Sequence, residues 1–149
     1  MLRRMGIGEL PQCAGFEALL QEYADECALD NMPHDYNVDM YMALEASGAL
    51  RTFAAFADDV LIGFILVIVT VLPKYTETVA ATESFFVAKQ YRGTGAGMRL
   101  LRAAEDEATE AGAFGILVSA PSGGVLAEVM PRIDRYRESN RVFFRELNR

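Results

Sequence analysis

Arg92-Gly93-Thr94-Gly95-Ala96-Gly97 sets three glycines at alternate positions between an apolar run at residues 84–88 and an amphipathic run that begins at Met98. The order reads as strand, backbone-exposing turn and helix start, an arrangement suited to phosphate. The first turn of a helix leaves backbone N–H groups without intrahelical acceptors and carries the positive end of the macrodipole. Glycines there let an anion approach the bare backbone. Arg99 and Arg102 follow in the first two turns, where positive charge is unfavourable unless an anion sits among them. The glycines could also serve only as a tight turn, with the arginines in water. A Walker loop needs Gly-Lys followed by Ser or Thr, which is absent. The dinucleotide fingerprint needs its third glycine at Met98 and an acidic residue about 20 residues later, closing a second strand. Neither matches.

Working outward, Leu100, Leu101, Ala104, Ala108 and Ala111 form the inward stripe of a helix stopped by Gly112. Residues 79–88 read as the strand before it and 114–120 as the strand after it. Such a βαβ unit has parallel strands and a right-handed crossover. Residues 50–57 and 60–72, rich in aromatic and branched side chains, meet at Asp58-Asp59 and read as an antiparallel hairpin ended by Pro73. Nearer the start, Pro11 suits a first helical position, with Phe16, Leu19, Leu20, Tyr23 and Cys27 at helical spacing. Asn31-Met32-Pro33 breaks this helix, residues 29–38 read as a loop, and 39–46 as a shorter helix ending near Gly48. Beyond Gly124, Val125, Leu126, Val129, Met130 and Ile133 suggest a short helix limited by Pro131. Residues 141–147 suit a last strand through Val142-Phe143-Phe144, although Tyr136, Phe143, Phe144 and Leu147 also fit a helical stripe; strand is favoured.

With 149 residues, the chain fits one domain over 1–149, and 52% hydrophobic against 23% charged residues argues against disorder. The longest apolar stretch, 60–72, is interrupted by Gly63 and Thr70 and falls short of the roughly 18–20 residues of a membrane span, so it reads as a buried central strand. A net charge of −7 disfavours nucleic acid as a partner and could draw in a cationic amine. Only Cys13 and Cys27 are cysteines and residues 1–10 hold no apolar signal segment, which points to a reduced, cytoplasmic protein. His34 is the only histidine, and no Cys/His spacing suggests a metal site.

The longer stretch Phe86-Val87-Ala88-Lys89-Gln90-Tyr91-Arg92-Gly93-Thr94-Gly95-Ala96-Gly97-Met98-Arg99-Leu100-Leu101 resembles the acyl-CoA signature of the GCN5-related N-acetyltransferase (GNAT) family. That signature is Gln or Arg, two residues, Gly, one residue, then Gly or Ala, and it maps to Arg92, Gly95 and Gly97. The resemblance implies an α/β (α+β) fold: a mixed, mostly antiparallel central sheet, a parallel βαβ unit carrying the turn, and helices on both faces. It further implies acetyl-CoA as co-substrate and direct acetyl transfer to a primary amine of a small molecule or a protein, with no metal and no membrane or nucleic-acid partner. A homodimer is compatible with it. By the same resemblance, the backbone of Phe85, Phe86 and Val87 would bond the pantetheine arm like an added strand. Amides of Gly93, Thr94, Gly95, Ala96, Gly97 and Met98 would receive the pyrophosphate, with Arg92 helping to balance its charge.

An ammonium must lose a proton before attacking a thioester, and Glu83 is the best-placed base. Strand alternation puts it on the side of Phe85 and Val87, where an apolar setting would raise its pKa; a solvated strand start is the plainer alternative. Met130 stands where many relatives carry a tyrosine that protonates the departing thiolate. That role passes to Tyr136, Tyr75 or water, and Tyr136 is equally a packing aromatic. Asp30, His34, Asp35 and Asp39 surround the loop that shapes the acceptor pocket in the resembling family, although an acidic surface there is more often simply solvated. Two other readings compete with an N-acetyltransferase: a CoA-binding or regulatory module with little or no turnover, and a different phosphate-ligand protein.

Overall fold

Asp58 and Asp59 reverse the chain with both residues at positive φ, 49° and 64°. This is the two-residue turn whose twist matches that of paired strands, in a conformation that Asp tolerates better than most residues. It joins β2 (Leu50–Ala57) to β3 (Val60–Leu72) in the hairpin read from the sequence. The computed structural model describes residues 1–27 and 36–148, and the chain falls into two compact units, Met1–Ser119 and the part from Ala120 onward.

The first unit holds a five-stranded sheet in the order β1-β2-β3-β4-β5, with β1 at Leu2–Met5, β4 at Glu77–Val87 and β5 at Ile116–Leu117. Every neighbouring pair is antiparallel except β4 with β5, which are parallel and linked through α3 (Ala96–Glu110). This is the mixed sheet with one βαβ unit expected from the sequence. β3 lies in the middle, and every residue from 61 to 67 is buried because both faces of the sheet are covered.

On one face, Phe64 and Leu66 of β3 and Phe86 of β4 join Phe16 and Leu19 of α1 (Phe16–Cys27), with Tyr41 of α2 (Val38–Ala46) packed against the same cluster. On the other face lies α3, whose Leu100 and Leu101 are 0% and 1% exposed. Complete burial of a leucine contributes about 1.5–3 kcal/mol. The close approach of α3 depends on Gly63. A Cβ there would stand 3.0 Å from the Phe86 carbonyl oxygen, 3.1 Å from Val87 Cγ2 and 3.3 Å from Leu100 Cδ1. Glu107 fastens the far end of α3 to the sheet, accepting from Arg4 at 2.9 Å and Arg51 at 3.2 Å.

Three boundaries differ from the sequence reading. Pro11 lies inside a 3-10 turn, Ile7–Gln12, and α1 starts only after Gly15, which adopts a φ of 89° that ends one element before the next begins. The strand expected over 114–120 shrinks to Ile116–Leu117. Beyond it Ser119 donates its N–H to Thr82 Oγ1 rather than continuing the ladder. The third difference is in the second unit, where α4 (Val125–Val129) runs into the 3-10 turn Met130–Arg132. No helix or strand follows as far as residue 148, so the favoured strand over 141–147 is not formed. Val142 and Phe143 are 87% and 89% exposed, and within that unit no other strand is available to satisfy a ladder of N–H and C=O groups.

Candidate active site

The register of β3 against β4 slips at one point: Leu66 opposes Ser84, yet Val67 opposes Thr82. Glu83 is therefore the extra residue of a β-bulge. Because of it the consecutive residues Glu83 and Ser84 both line one cavity on the α1/α2 face, together with Tyr41. Phe85 and Val87 instead oppose Ile65 and Gly63, and Val87 meets Gly97 of α3. Strand alternation had put Glu83 on the side of Phe85 and Val87. The bulge overturns that placement by inserting a residue that breaks the period of two.

Hydroxyl groups converge on Glu83. Tyr41 donates its O–H to Oε1 at 2.9 Å and Ser84 donates to Oε2 at 2.5 Å. The Ser84 oxygen remains free to accept from the Tyr23 phenol. Burial, then the Glu83 charge, pushes the Tyr41 phenol well above its ordinary range. Tyr36 rises to about 12, chiefly through burial and then through Glu83 and Glu45. Tyr23 is raised mainly by burial. At neutral pH all three are neutral donors. The cavity they enclose measures about 120 Å³, with Leu10, Phe16, Leu20, Phe64 and Leu66 making the apolar remainder of its wall.

On the opposite side of Glu83, β4 loses its outer neighbour. β5 pairs only at Ala80–Ile116 and Ala81–Leu117, and beyond that point the edge of β4 has no strand partner among the described residues. Ala88 donates its N–H to Ile62 across the antiparallel pair at 2.8 Å. Alternation of that ladder sends the N–H and C=O of Phe85 and Val87 outward, to the open edge. The Val87 carbonyl accepts from Arg92 Nε at 2.9 Å.

The glycine turn begins where β4 ends, and α1 holds its entrance. Glu22 accepts the Lys89 N–H at 2.7 Å, and Glu26 takes both terminal nitrogens of Arg92 at 3.0 and 2.7 Å. The Arg92 guanidinium lies 5.1 Å from the centroid of the Phe86 ring. Its side chain is thus occupied in tying α1 to the turn. Gly93 and Gly95 take φ of 91° and 89°, a region that L side chains rarely adopt, and Gly95 caps α3 with no side-chain hydrogen bond. Thr94 Oγ1 accepts from the Ala96 N–H at 3.4 Å, whereas the amides of Gly97 and Met98 have no protein acceptor among the described residues. Arg99 Nη1 stands 3.1 Å from where a Gly95 Cβ would lie. Exposed glycines, unpartnered amides and a guanidinium make a cradle that fits an anionic pyrophosphate. Arg102 turns away to Glu105 at 3.2 Å.

The remaining residues singled out in the sequence are dispersed. Tyr136 is half-buried in the second unit, where its N–H bonds the Ile133 carbonyl at 3.2 Å, and Met130 opens the 3-10 turn of that unit. Tyr75 is exposed on the β3–β4 connection, and Asp39 is exposed in the first turn of α2. Asp30, His34 and Asp35, with most of the expected loop over 29–38, lie outside the described residues. Cys13 and Cys27 are free thiols packed beside the core, each pushed up chiefly by burial. Among the described residues no group of three or more His, Cys, Asp or Glu is placed to hold a metal ion, and no helix is long and apolar enough to cross a membrane. Sequence reasoning missed Tyr36, Tyr41 and Ser84. Their signal is the convergence of α2 with a bulge on β4, which no spacing in the chain announces.

A mixed sheet with an open β4 edge thus runs into a glycine-capped helix. Residues 16–125 match the acetyltransferase (GNAT) family, and the chain belongs to that family. No curated protein matches it by sequence. Its fold is shared with an aminoglycoside acetyltransferase from an uncultured soil metagenomic sample, crystallised with sisomicin: TM-score 0.75, 18% identity, covering 99% of this chain and 96% of that one. A ribosomal-protein-alanine N-acetyltransferase from Brucella melitensis biovar Abortus 2308 superposes with TM-score 0.72 at 18% identity, covering 98% of each chain. The aminoglycoside N-acetyltransferase AAC(6')-Iy in complex with CoA gives 0.71 at 20% identity over 99% of both chains.

Proposed function

We propose that this acetyltransferase moves the acetyl group of acetyl-CoA directly to a primary amine of a small molecule or a protein. The observation that carries the reading is the continuity of three features along β4: the bulge that presents Glu83, the outward backbone groups of Phe85 and Val87, and the open amides at the start of α3. Structural neighbours that act on aminoglycosides and on a ribosomal-protein alanine, one of them bound to CoA, support an amine acceptor and a CoA donor.

Acetyl-CoA supplies an activated thioester. The residues of this chain hold and steer it. Amides of Gly97 and Met98, with Arg99 beside them, receive the pyrophosphate, while Arg92 keeps the turn against α1. Phe85 and Val87 extend the sheet to the pantetheine arm, and an outward N–H there stabilises charge on the acetyl oxygen. Glu83 accepts a proton from the incoming ammonium, its carboxylate oriented by Tyr41 and Ser84. A nitrogen–carbon bond forms, the carbon–sulfur bond breaks with its electron pair on sulfur, and the second proton shed by the nitrogen reaches the sulfur through water. A module that binds CoA without turnover is the competing reading, favoured by the thioether of Met130 at the position of the family's tyrosine.

The test is CoA-thiol release from acetyl-CoA across a panel of primary amines, paired with the thermal shift on CoA binding. Transfer to at least one amine, lost in Glu83→Gln while the CoA shift persists, is expected. A CoA shift with no turnover on any amine establishes the module instead.

A further inference from the structure

We infer that the acceptor is a small monoamine with a compact apolar body, of the benzylamine or branched-alkylamine kind, seated with its ammonium on Glu83 and its body among the aromatic rings of the α1/α2 cavity. The inference rests on the acyl-transfer reading above and narrows it to one chemical class.

Size comes first. The cavity is about 120 Å³; a protein cavity of about 150 Å³ lined by aliphatic and aromatic side chains accommodates benzene. Room therefore exists for a ring or a branched chain and little else.

Charge comes second. Among the described residues Glu83 is the only ionisable acid or base lining this cavity apart from phenols, and no described Lys, Arg or His shares it. One carboxylate neutralises one ammonium. A second or third cationic centre on the same molecule would enter an apolar wall without a counter-charge, at a heavy desolvation cost.

The third argument concerns hydrogen bonds. Tyr36 donates its O–H to the Ile7 carbonyl at 3.3 Å, Tyr41 and Ser84 donate to Glu83, and Tyr23 bonds Ser84. The polar ends of the lining are thus engaged with one another, and the rings are what they offer a guest. Phe16 meets Tyr36 edge-on at 5.3 Å, Tyr36 lies 5.2 Å from Tyr41, and Tyr23 stands at 5.5 Å to Phe64 across the same cluster. Aromatic faces and edges suit an ammonium and an apolar body together. The hydroxyls of a sugar-based acceptor would find few free partners and would lose their water. Each oxygen of Glu83 accepts one hydroxyl and retains a lone pair for the N–H of the guest.

The test compares kcat/KM of the full chain for benzylamine, isobutylamine, spermidine, kanamycin and an alanine-started peptide at fixed acetyl-CoA. The expected order places the two monoamines at least ~10-fold above the polyamine, the aminoglycoside and the peptide. Leu20→Trp, which fills the half-buried wall of the cavity, is expected to raise the KM for benzylamine by ~10-fold with the KM for acetyl-CoA unchanged. Equal or better use of kanamycin, spermidine or peptide overturns the inference, as does a Leu20→Trp variant with unaltered benzylamine KM. If no amine turns over although CoA still binds, the transfer reading fails on its own. Calorimetry of benzylamine with the CoA complex then decides the pocket: binding that Leu20→Trp abolishes upholds it, and no binding overturns it.

Discussion

The glycine turn and the Glu83 bulge are neighbours on β4 and its exit, but they are built by different means. At the turn, Gly93 and Gly95 adopt positive φ because the chain lacks Cβ atoms there, and the open amides follow from the helix that starts next. All of that is local. At the bulge, a residue loses its strand partner because β3 and β4 change register between Leu66 and Val67, and α2 brings Tyr41 from far along the chain to meet it. The contrast separates a site made by residue type from one made by assembly. The glycine cradle belongs to the first kind, and the cavity at Glu83 to the second.

The comparison is tested most severely at the bulge. Glu83→Gln keeps size but removes the carboxylate proposed to accept the proton, and its amide nitrogen obliges one of the two hydroxyls to turn and accept; kcat should fall about 100- to 1,000-fold with the KM for acetyl-CoA little changed. A variant with wild-type kcat would leave the bulge a structural irregularity. At the turn, Gly97→Glu meets only an ordinary 3.7 Å contact with Val87, so the fold should survive while a carboxylate invades the phosphate cradle. CoA affinity should drop by roughly 10- to 100-fold by calorimetry, the scale of lost hydrogen bonds to a charged group.

How much of each region was legible beforehand follows the same division. The alternate glycines, the hairpin at Asp58-Asp59 and the stripe of α3 were all readable, since each depends on a short-range period or a turn residue. The side on which Glu83 emerges was misread, because a bulge is a property of two strands and period-two alternation is a property of one. The strand favoured over 141–147 failed for a related reason: Val142, Phe143 and Phe144 have strand propensity, and propensity provides no partner for their backbone groups.

Between the two regions lies Gly63, where β3, β4 and α3 approach within contact of a missing side chain. Gly63→Ala should cost about 1–3 kcal/mol through overpacking, read as a fall in Tm of several degrees without a proportionate loss of CoA binding by the folded fraction. A smaller effect is expected from Tyr41→Phe, which frees one oxygen of Glu83: a change of a few-fold in kcat, with CoA binding intact. A purely packing role for Tyr41 would leave kcat where it was.

The smallest expected effect is alkaline. The Tyr36 phenol is raised from 10.0 to about 12, so its protonated form is favoured in the fold. That contribution is complete below pH 10 and disappears as pH climbs toward 12. Tyr36→Phe should flatten this part of the wild-type fall in Tm above pH 10, while leaving the slopes from Tyr23, Tyr41 and the two thiols. Identical slopes in the two proteins would show that burial of this phenol does not bear on stability.

By itself the sequence determined the strand-turn-helix with its open amides, the hairpin and the family to which the chain belongs, because glycine conformations and hydrophobic periods act over a few residues and survive being read one stretch at a time. Only the tertiary structure decided which side chains gather around Glu83. The cavity exists where a register slip in the sheet turns Glu83 and Ser84 the same way and where α1 and α2 lay their tyrosines over that slip, and packing between segments far apart in the chain is what sets both.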